Sequence, residues 1–386
     1  MSDRQAPAGL FRSGAQIAEL DGVRGLAILL VIAFHLVQAV PLISRELPRA
    51  VVTLSRLGQT GVDLFFVLSG FLITGILLRH RERPDALKNF WGRRFLRIFP
   101  LYYSVLVLIA VYPALRNIPL DKAAGDWWMW TYLANVPPTF FDKETSLPHF
   151  WSLAVEEQFY LFWPLIVLAV STQRLWHITL GLGALAPIFR LGFGLQDWST
   201  FYALPCRMDG LAAGAGLAIG IHLGWFSDAH LLRVRAIIGV ICGASAVWFT
   251  LASGNGALTN QVVKHSLYAM IYTWLLAELI LGSKSGMVCT IFRSSVLRTW
   301  GKYSYGCYVL HPLLMALVNH SSKHFAAGPA GALTAGVLIV CGTAGGAWLS
   351  WHLLEAPCLK WKSYFEYEPR VVANSSPTAE HEGLKQ

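Results

Sequence analysis

Apolar runs long enough to cross a bilayer recur from one end of the chain to the other, and this repetition restricts the fold more than any other feature. They lie near 22–41, 58–78, 98–116, 152–170, 175–194, 204–223, 233–252, 262–282, 303–320 and 328–353. A helix needs about 20 apolar residues to span the hydrocarbon core. Inside lipid every backbone polar group must pair internally, so only helices and closed barrels cross. The two-residue alternation of barrel strands is absent. The prediction is an all-α polytopic membrane bundle of about ten helices. Composition agrees: 55% of residues are hydrophobic, only 14% are charged, and mean hydropathy is +0.49. A soluble domain carries about a quarter charged residues. One further segment, DWWMWTYLANV (126–136), is apolar but short, and reads as re-entrant or interfacial.

The net charge of +9 sits in loops between the runs. That placement excludes a compact nucleic-acid face and fits the positive-inside rule. The stretch RHRERPDALKNFWGRRFLR (79–97) alone holds seven Lys and Arg residues, so both termini are expected in the cytoplasm. The organisation read from this is a cytoplasmic segment 1–19, a transmembrane domain 20–360 and an unstructured cytoplasmic tail 361–386. The first run keeps Asp21 and Arg24 at its start and reads as a retained helix, without a signal-peptide cleavage site. Six scattered cysteines show no paired spacing, so neither a disulfide framework nor a metal site is expected. No internal repeat supports a transporter built from inverted halves.

The runs contain charges that lipid alone would reject. Arg24 and His35 are eleven residues apart in LDGVRGLAILLVIAFHL, so a helix sets them on one face, roughly 16 Å apart along its axis. Ionisable groups in a membrane helix face a bundle interior or a wet cavity. His35 is a candidate general base for a hydroxyl, and Asp21 lies one turn from Arg24. Arg94 and Arg97 share a helix face, and their guanidinium forks suit phosphate. Arg79, Arg81 and Arg83 read instead as topology determinants that touch anionic lipid. In HFWSLAVEEQFYLFWPL, Glu156 and Tyr160 share a face beside Glu157; Arg24, Arg190 or Arg207 are possible partners for these carboxylates. Asp63, Arg207 and Asp209 lie near the outer ends of the second and sixth runs, and either line a cavity or pair with one another. His311, followed by Pro312, is a candidate second catalytic histidine. Trp127, Trp128, Trp130 and Trp151 either stack on sugar faces or form an interfacial belt.

Seven segments taken together (LDGVRGLAILLVIAFHL, GVDLFFVLSGFLIT, RRFLRIFPLYY, HFWSLAVEEQFYLFWPL, RMDGLAAGAGLA, YSYGCYVLHPL and WHLLEAP, spanning 20 to 357) resemble the acyltransferase 3 family of integral-membrane acyltransferases. The resemblance implies about ten membrane helices in a plasma membrane, the inner membrane of a bacterium. It implies no bound cofactor and an acyl-CoA donor, acetyl-CoA by default, on the cytoplasmic side. The acceptor would be a hydroxyl of an extracytoplasmic glycan or glycolipid. Arg24 and His35 match the family's paired motif, Arg94 and Arg97 its basic element near the donor, and Glu156, Glu157 and Tyr160 its acidic-aromatic block. Some members carry a fused extracytoplasmic hydrolase-like domain, which this reading expects to be absent here. His35 would act as base or be acylated itself, a carboxylate of Glu156 or Glu157 would fix its tautomer, and Tyr160 or an arginine would stabilise the oxyanion. Alternatives are a lipid, peptide or macrolide-type acceptor, or a proton-coupled transporter or flippase.

Overall fold

A computed structural model describes residues 17–115, 126–226, 237, 239–241, 243–245, 247, 258–282, 285–321, 324–326 and 328–366. The expected seventh run, 233–252, and the expected tail, 361–386, fall largely outside the described residues. So does most of the N-terminal segment.

The other nine runs are helices. These are α1 (Ala18–Ala39), α2 (Gly61–Arg79), α3 (Ala86–Leu115), α4 (Phe150–Ala169), α5 (Thr172–Leu195), α6 (Leu204–His222) and α7 (Leu258–Leu281). After a short amphipathic helix α8 (Ser295–Lys302) come α9 (Ser304–His320) and α10 (Pro329–Ser350). A π-helical turn, Trp351–Glu355, follows α10. The described residues form no strand. Six of their helical segments are long and apolar enough to cross a membrane: Ala18–Ala39, Arg49–Arg79, Ala86–Val111, Phe150–Ala169, Thr172–Leu195 and Pro329–Phe365. The short apolar stretch after Asp126 becomes two brief helices, Trp127–Trp130 and Val136–Phe140. Pro312 lies within a continuous α9.

α2 is the most enclosed span, with 78% of its apolar window buried. Its contacts set the directions of its neighbours. Gly58 and Gly61 lie against Leu30 and Ala27 of α1, so the two helices run antiparallel. The Ser69 and Thr74 hydroxyls meet Glu156 and Trp163, so α4 runs parallel to α2. Gly210 packs on Phe66 and Gly214 on Val67 and Phe71, so α6 runs parallel to α2 as well. The start of α1 therefore shares one end of the bundle with the ends of α2, α4 and α6. Two cores follow, one around α1, α2, α3, α4 and α9 and another around α1, α2, α6 and α7. Outward positions such as Leu161, Phe162, Leu180, Ile188, Leu333 and Val337 are apolar and exposed, as a lipid-facing surface requires.

Asp63, Arg207 and Asp209 resolve into cross-helix ion pairs. Arg207 Nη2 lies 2.8 Å from Asp63 Oδ1, and Arg190 Nη1 lies 2.9 Å from Asp209 Oδ2. Arg190 also donates to the Cys206 and Val262 carbonyls and to Ser266. The Asp63 carboxylate and the Arg207 guanidinium both meet His265 Nδ1. Of the two readings open for these residues, pairing is the one the structure adopts. A guanidinium without water needs a carboxylate or carbonyl beside it, and removing one partner of such a pair costs about 3–5 kcal/mol.

α2 and α6 touch backbone to backbone. A Cβ on Gly70 would collide with the Leu211 carbonyl, whereas one on Gly183 of α5 meets nothing within 4 Å. We predict that Gly70→Ala destabilises the detergent-solubilised protein by about 1–3 kcal/mol, the range of overpacking substitutions. Gly183→Ala should leave its thermal midpoint unchanged. Equal midpoints for the two variants would disprove the contact.

Candidate active site

α1 runs unbroken from Ala18 to Ala39 and carries both Arg24 and His35. α8 crosses its first half at such close range that a Cβ on Gly25 would collide with the Leu297 carbonyl, and one on Gly301 with the Asp21 carbonyl. At this crossing lies a vestibule of about 390 Å³ lined by Asp21, Arg24, Arg97, Arg298, Lys302 and Trp351, among others. Arg24 pairs with Asp21 at 2.6 Å. The Lys302 ammonium lies 5.3 Å from the Trp351 ring centroid, within cation–π range.

Arg24 and Arg97 also line a second, inner cavity of about 100 Å³. Its polar lining adds Ser69, Arg94, Ser152, Glu156, Tyr160 and Tyr308, set against apolar Phe65, Phe66, Leu68 and Leu72. Vestibule and cavity thus meet at two guanidinium groups. Glu156 and Tyr160 share a face of α4, as their four-residue spacing requires. Ser69 Oγ donates to Glu156 Oε1 at 2.9 Å, and Tyr160 Oη donates to Glu156 Oε2 at 3.1 Å. The two hydroxyls are themselves 2.9 Å apart. Arg94 stands over the Tyr160 ring, 5.2 Å from its centroid. Neither Arg94 nor Arg97 makes a hydrogen bond or ion pair within the described residues, unlike Arg24, Arg190 and Arg207. Glu156 takes its hydrogen bonds from hydroxyls and not from any of the three arginines expected. Glu157 does not line the cavity, and its Oε1 is buried without a hydrogen-bond partner.

Three other arginines of the basic stretch make structural contacts. Arg81 donates to the Val170 carbonyl, Arg83 pairs with Asp85 at 3.2 Å, and Arg93 donates to the Phe365 carbonyl at 2.7 Å. In the same loop, burial and the neighbouring Arg79, Arg83 and Arg93 push His80 down to about 4, so it stays neutral near pH 7.

His35 lies beyond the inner cavity. The lining ends at Ser152 and Tyr308; Tyr308 packs against His311 with ring centroids 5.8 Å apart, and His311 against His35 at 5.0 Å. The cavity therefore stops at the Tyr308 side chain and does not reach His35. The orienting group is also not a carboxylate. His311 Nδ1 lies 2.8 Å and 3.0 Å from the Tyr308 and Cys307 carbonyls, so it carries the proton and leaves Nε2 as an acceptor. His35 Nδ1 lies 3.3 Å from that Nε2 and 2.9 Å from the Val31 carbonyl, so it is the donor. The basic lone pair of His35 is then on Nε2. His149 completes a cluster of three imidazoles, its ring 5.7 Å from His311 and its buried Nε2 without a partner. Tyr308 Oη donates to the His149 carbonyl at 2.6 Å and meets Ser152 Oγ at 2.5 Å.

Four of these residues, Ser69, His149, Ser152 and Tyr308, were not singled out from the sequence. Ser69 was visible as one of two hydroxyls, with Thr74, in the core of an apolar helix, and His149 as the residue opening the acidic-aromatic block. Nothing in the sequence marked Ser152 or Tyr308.

Comparison with known proteins bears on this arrangement. The sequence profile of the acyltransferase domain of the acyltransferase 3 family matches residues 17–352. The peptidoglycan O-acetyltransferase OatA of Listeria monocytogenes is 28% identical over 328 residues, covering 78% of this chain and 50% of that protein. A Staphylococcus aureus protein provisionally assigned as an O-acetyltransferase is 27% identical over 329 residues, covering 78% of the chain and 51% of its own length. The chain thus spans about half the length of these two relatives. The acyltransferase MdmB of Streptomyces mycarofaciens is 24% identical over 376 residues, covering 89% of the chain and 92% of that protein. No solved structure matches the chain. With the profile spanning α1 to the turn after α10, over the residues that build both cavities, the chain belongs to the acyltransferase 3 family.

Proposed function

We propose that the chain is a membrane O-acyltransferase that moves an acetyl group from acyl-CoA to a hydroxyl of an extracytoplasmic carbohydrate. The observation that carries this reading is the pair Arg94 and Arg97: two guanidinium groups in one cavity, unpaired within the described residues. Burying a charge without a partner is costly, so the pair is best explained by an anion that arrives with the substrate. The phosphates of CoA supply it at Arg97, and the oxyanion of its thioester supplies it at Arg94.

In this reading the vestibule lies at the cytoplasmic face, an orientation that the basic loops support. Arg24, Arg97, Arg298 and Lys302 hold the phosphates there. The thin pantetheine arm passes between Arg24 and Arg97, and the inner cavity takes the acetyl thioester. The Glu156 carboxylate holds the Ser69 and Tyr160 hydroxyls in place. Arg94, against the Tyr160 ring, supplies positive charge to the oxyanion that develops on the thioester carbonyl. Tyr308 separates this cavity from the histidines and must turn aside for the acyl carbon to meet the acceptor. The acceptor oxygen attacks that carbon, the C–S bond breaks, and His35 Nε2 takes the hydroxyl proton and returns it to the departing thiolate. His311 Nε2 accepts from His35 Nδ1, which keeps the lone pair on Nε2 and shares the imidazolium charge. The carbohydrate acceptor draws support from the OatA relative, whose name states a peptidoglycan substrate.

Three outcomes are expected from purified protein given labelled acetyl-CoA and a glycan acceptor. His35→Ala should lower kcat by about 10²–10⁴-fold, the usual contribution of a general base, with unchanged thermal midpoint and donor affinity. Transfer at the wild-type rate by a folded His35→Ala protein would sink the proposal. Arg97→Ala should weaken acetyl-CoA binding by about tenfold or more, with Lys restoring only part of it, whereas Arg94→Ala should lower kcat by about 10²–10³-fold. His311→Phe should lower kcat without raising the KM for acetyl-CoA, while His311→Gln, which retains an acceptor, should recover part of the loss. If Gln and Phe behave alike, His311 does not orient His35.

A further inference from the structure

A second polar pocket lies at the opposite end of the bundle from the vestibule. It has a volume of about 480 Å³, within the range of small-molecule sites, about 300–1,000 Å³. Its walls come from Gln59 before α2, the segment Asp197–Phe201 between α5 and α6, and Gln261, Lys264 and His265 of α7. Because α2 and α6 both start here while α1 starts at the vestibule, the two pockets open towards different membrane faces.

Three of its polar groups are unused. Neither the Lys264 ammonium nor the Asp197 carboxylate makes a hydrogen bond or ion pair within the described residues. His265 is buried, at 4% exposure, with Nδ1 turned on Asp63 and Arg207, which leaves Nε2 as its remaining polar atom. Asp197 also has a left-handed backbone, φ 56°, a conformation that aspartate tolerates better than most residues and that recurs at ligand sites. An anion would be opposed by Asp197 and a cation by Lys264. A neutral ligand whose every group both donates and accepts satisfies all three. Trp198, 42% exposed, and Phe201 add flat apolar faces.

The wall behind this pocket is also a wall of the acyl cavity. Phe201 packs on Trp151 with ring centroids 4.7 Å apart, and Trp151 on Phe66 at 6.0 Å. Phe66 and the neighbouring Ser152 line the inner cavity. Arg207 stands over all three rings, 5.1–5.6 Å from their centroids, held by Asp63 and His265. One layer of rings and one guanidinium therefore separate the two pockets. Gly58, the neighbour of Gln59, abuts Phe34, which places the pocket at the height of His35.

We propose that this pocket binds the carbohydrate acceptor, as a neutral polyhydroxylated sugar seated between Trp198 and the Asp197, Lys264 and His265 groups. This inference rests on the transferase reading above, and binding can be measured without transfer. The full chain in lipid nanodiscs is titrated with two neutral tetrasaccharides, chitotetraose and maltotetraose, in the absence of acyl-CoA. At least one should bind wild type and His35→Ala alike. Lys264→Met and Trp198→Ala should each weaken that binding by about tenfold, the loss of one good contact, with acetyl-CoA affinity unaltered in Lys264→Met. Failure of both sugars to bind wild type, or equal binding by both pocket variants, overturns the proposal. In that event His35-dependent release of CoA from acetyl-CoA would still support the transferase reading. Its absence beside intact sugar binding would refute that reading and leave this site standing.

Discussion

A guanidinium cannot rest alone in hydrocarbon, and the arrangement of the bundle follows from how each arginine meets that demand. Arg190 and Arg207 are matched by Asp209 and Asp63 across helices, with carbonyls, Ser266 and His265 taking further donors. These pairs register α2, α5, α6 and α7 against one another. Arg24 is matched within its own helix by Asp21. Arg94 and Arg97 are the exceptions: both line the inner cavity without a hydrogen bond or ion pair among the described residues, Arg94 over the Phe90 and Tyr160 rings. The same electrostatic demand locks one half of the bundle with ion pairs and leaves two guanidinium groups at a cavity in the other half, the feature on which the proposed function rests.

Helix direction turns this into a two-sided device. α1, unbroken through the core, presents Arg24 near one membrane face and His35 towards the other. α2, parallel to α4 and α6, carries Ser69 to the acyl cavity and Asp63 to the cluster behind the second pocket. Between the inner cavity on one side and the histidine cluster and second pocket on the other, the rings of Phe66, Trp151, Phe201 and Tyr308 form a partition near mid-depth. Under the proposed function, this partition of packed aromatic side chains would exclude water from a thioester, and water is the competing acceptor in acyl transfer.

The spans were legible in the sequence because membrane length and hydropathy need no knowledge of neighbours. Arg24, Arg94, Arg97, Glu156 and Tyr160 were legible as a group for a related reason: charge in an apolar run is costly, so its presence marks an interior. Two members of the expected site were placed differently by the structure. Glu157, one residue from Glu156, points along another helix face and misses the cavity. His35 is oriented by His311 and not by a carboxylate. Helical periodicity says which residues share a face, but not which other helix that face meets.

The sequence by itself determined that this chain is a helical membrane bundle, because bilayer thickness and the cost of unpaired backbone leave no other solution for such runs, and its motif segments carried the resemblance to the acyltransferase 3 family. Only the tertiary structure decided which charges neutralise one another and which line a cavity without an ion-pair partner among the described residues. Asp63 and Arg207 are 144 residues apart, as are many pairs that never meet. Their contact exists because Gly210 and Gly214 let α6 approach α2 closely enough for a carboxylate and a guanidinium to touch.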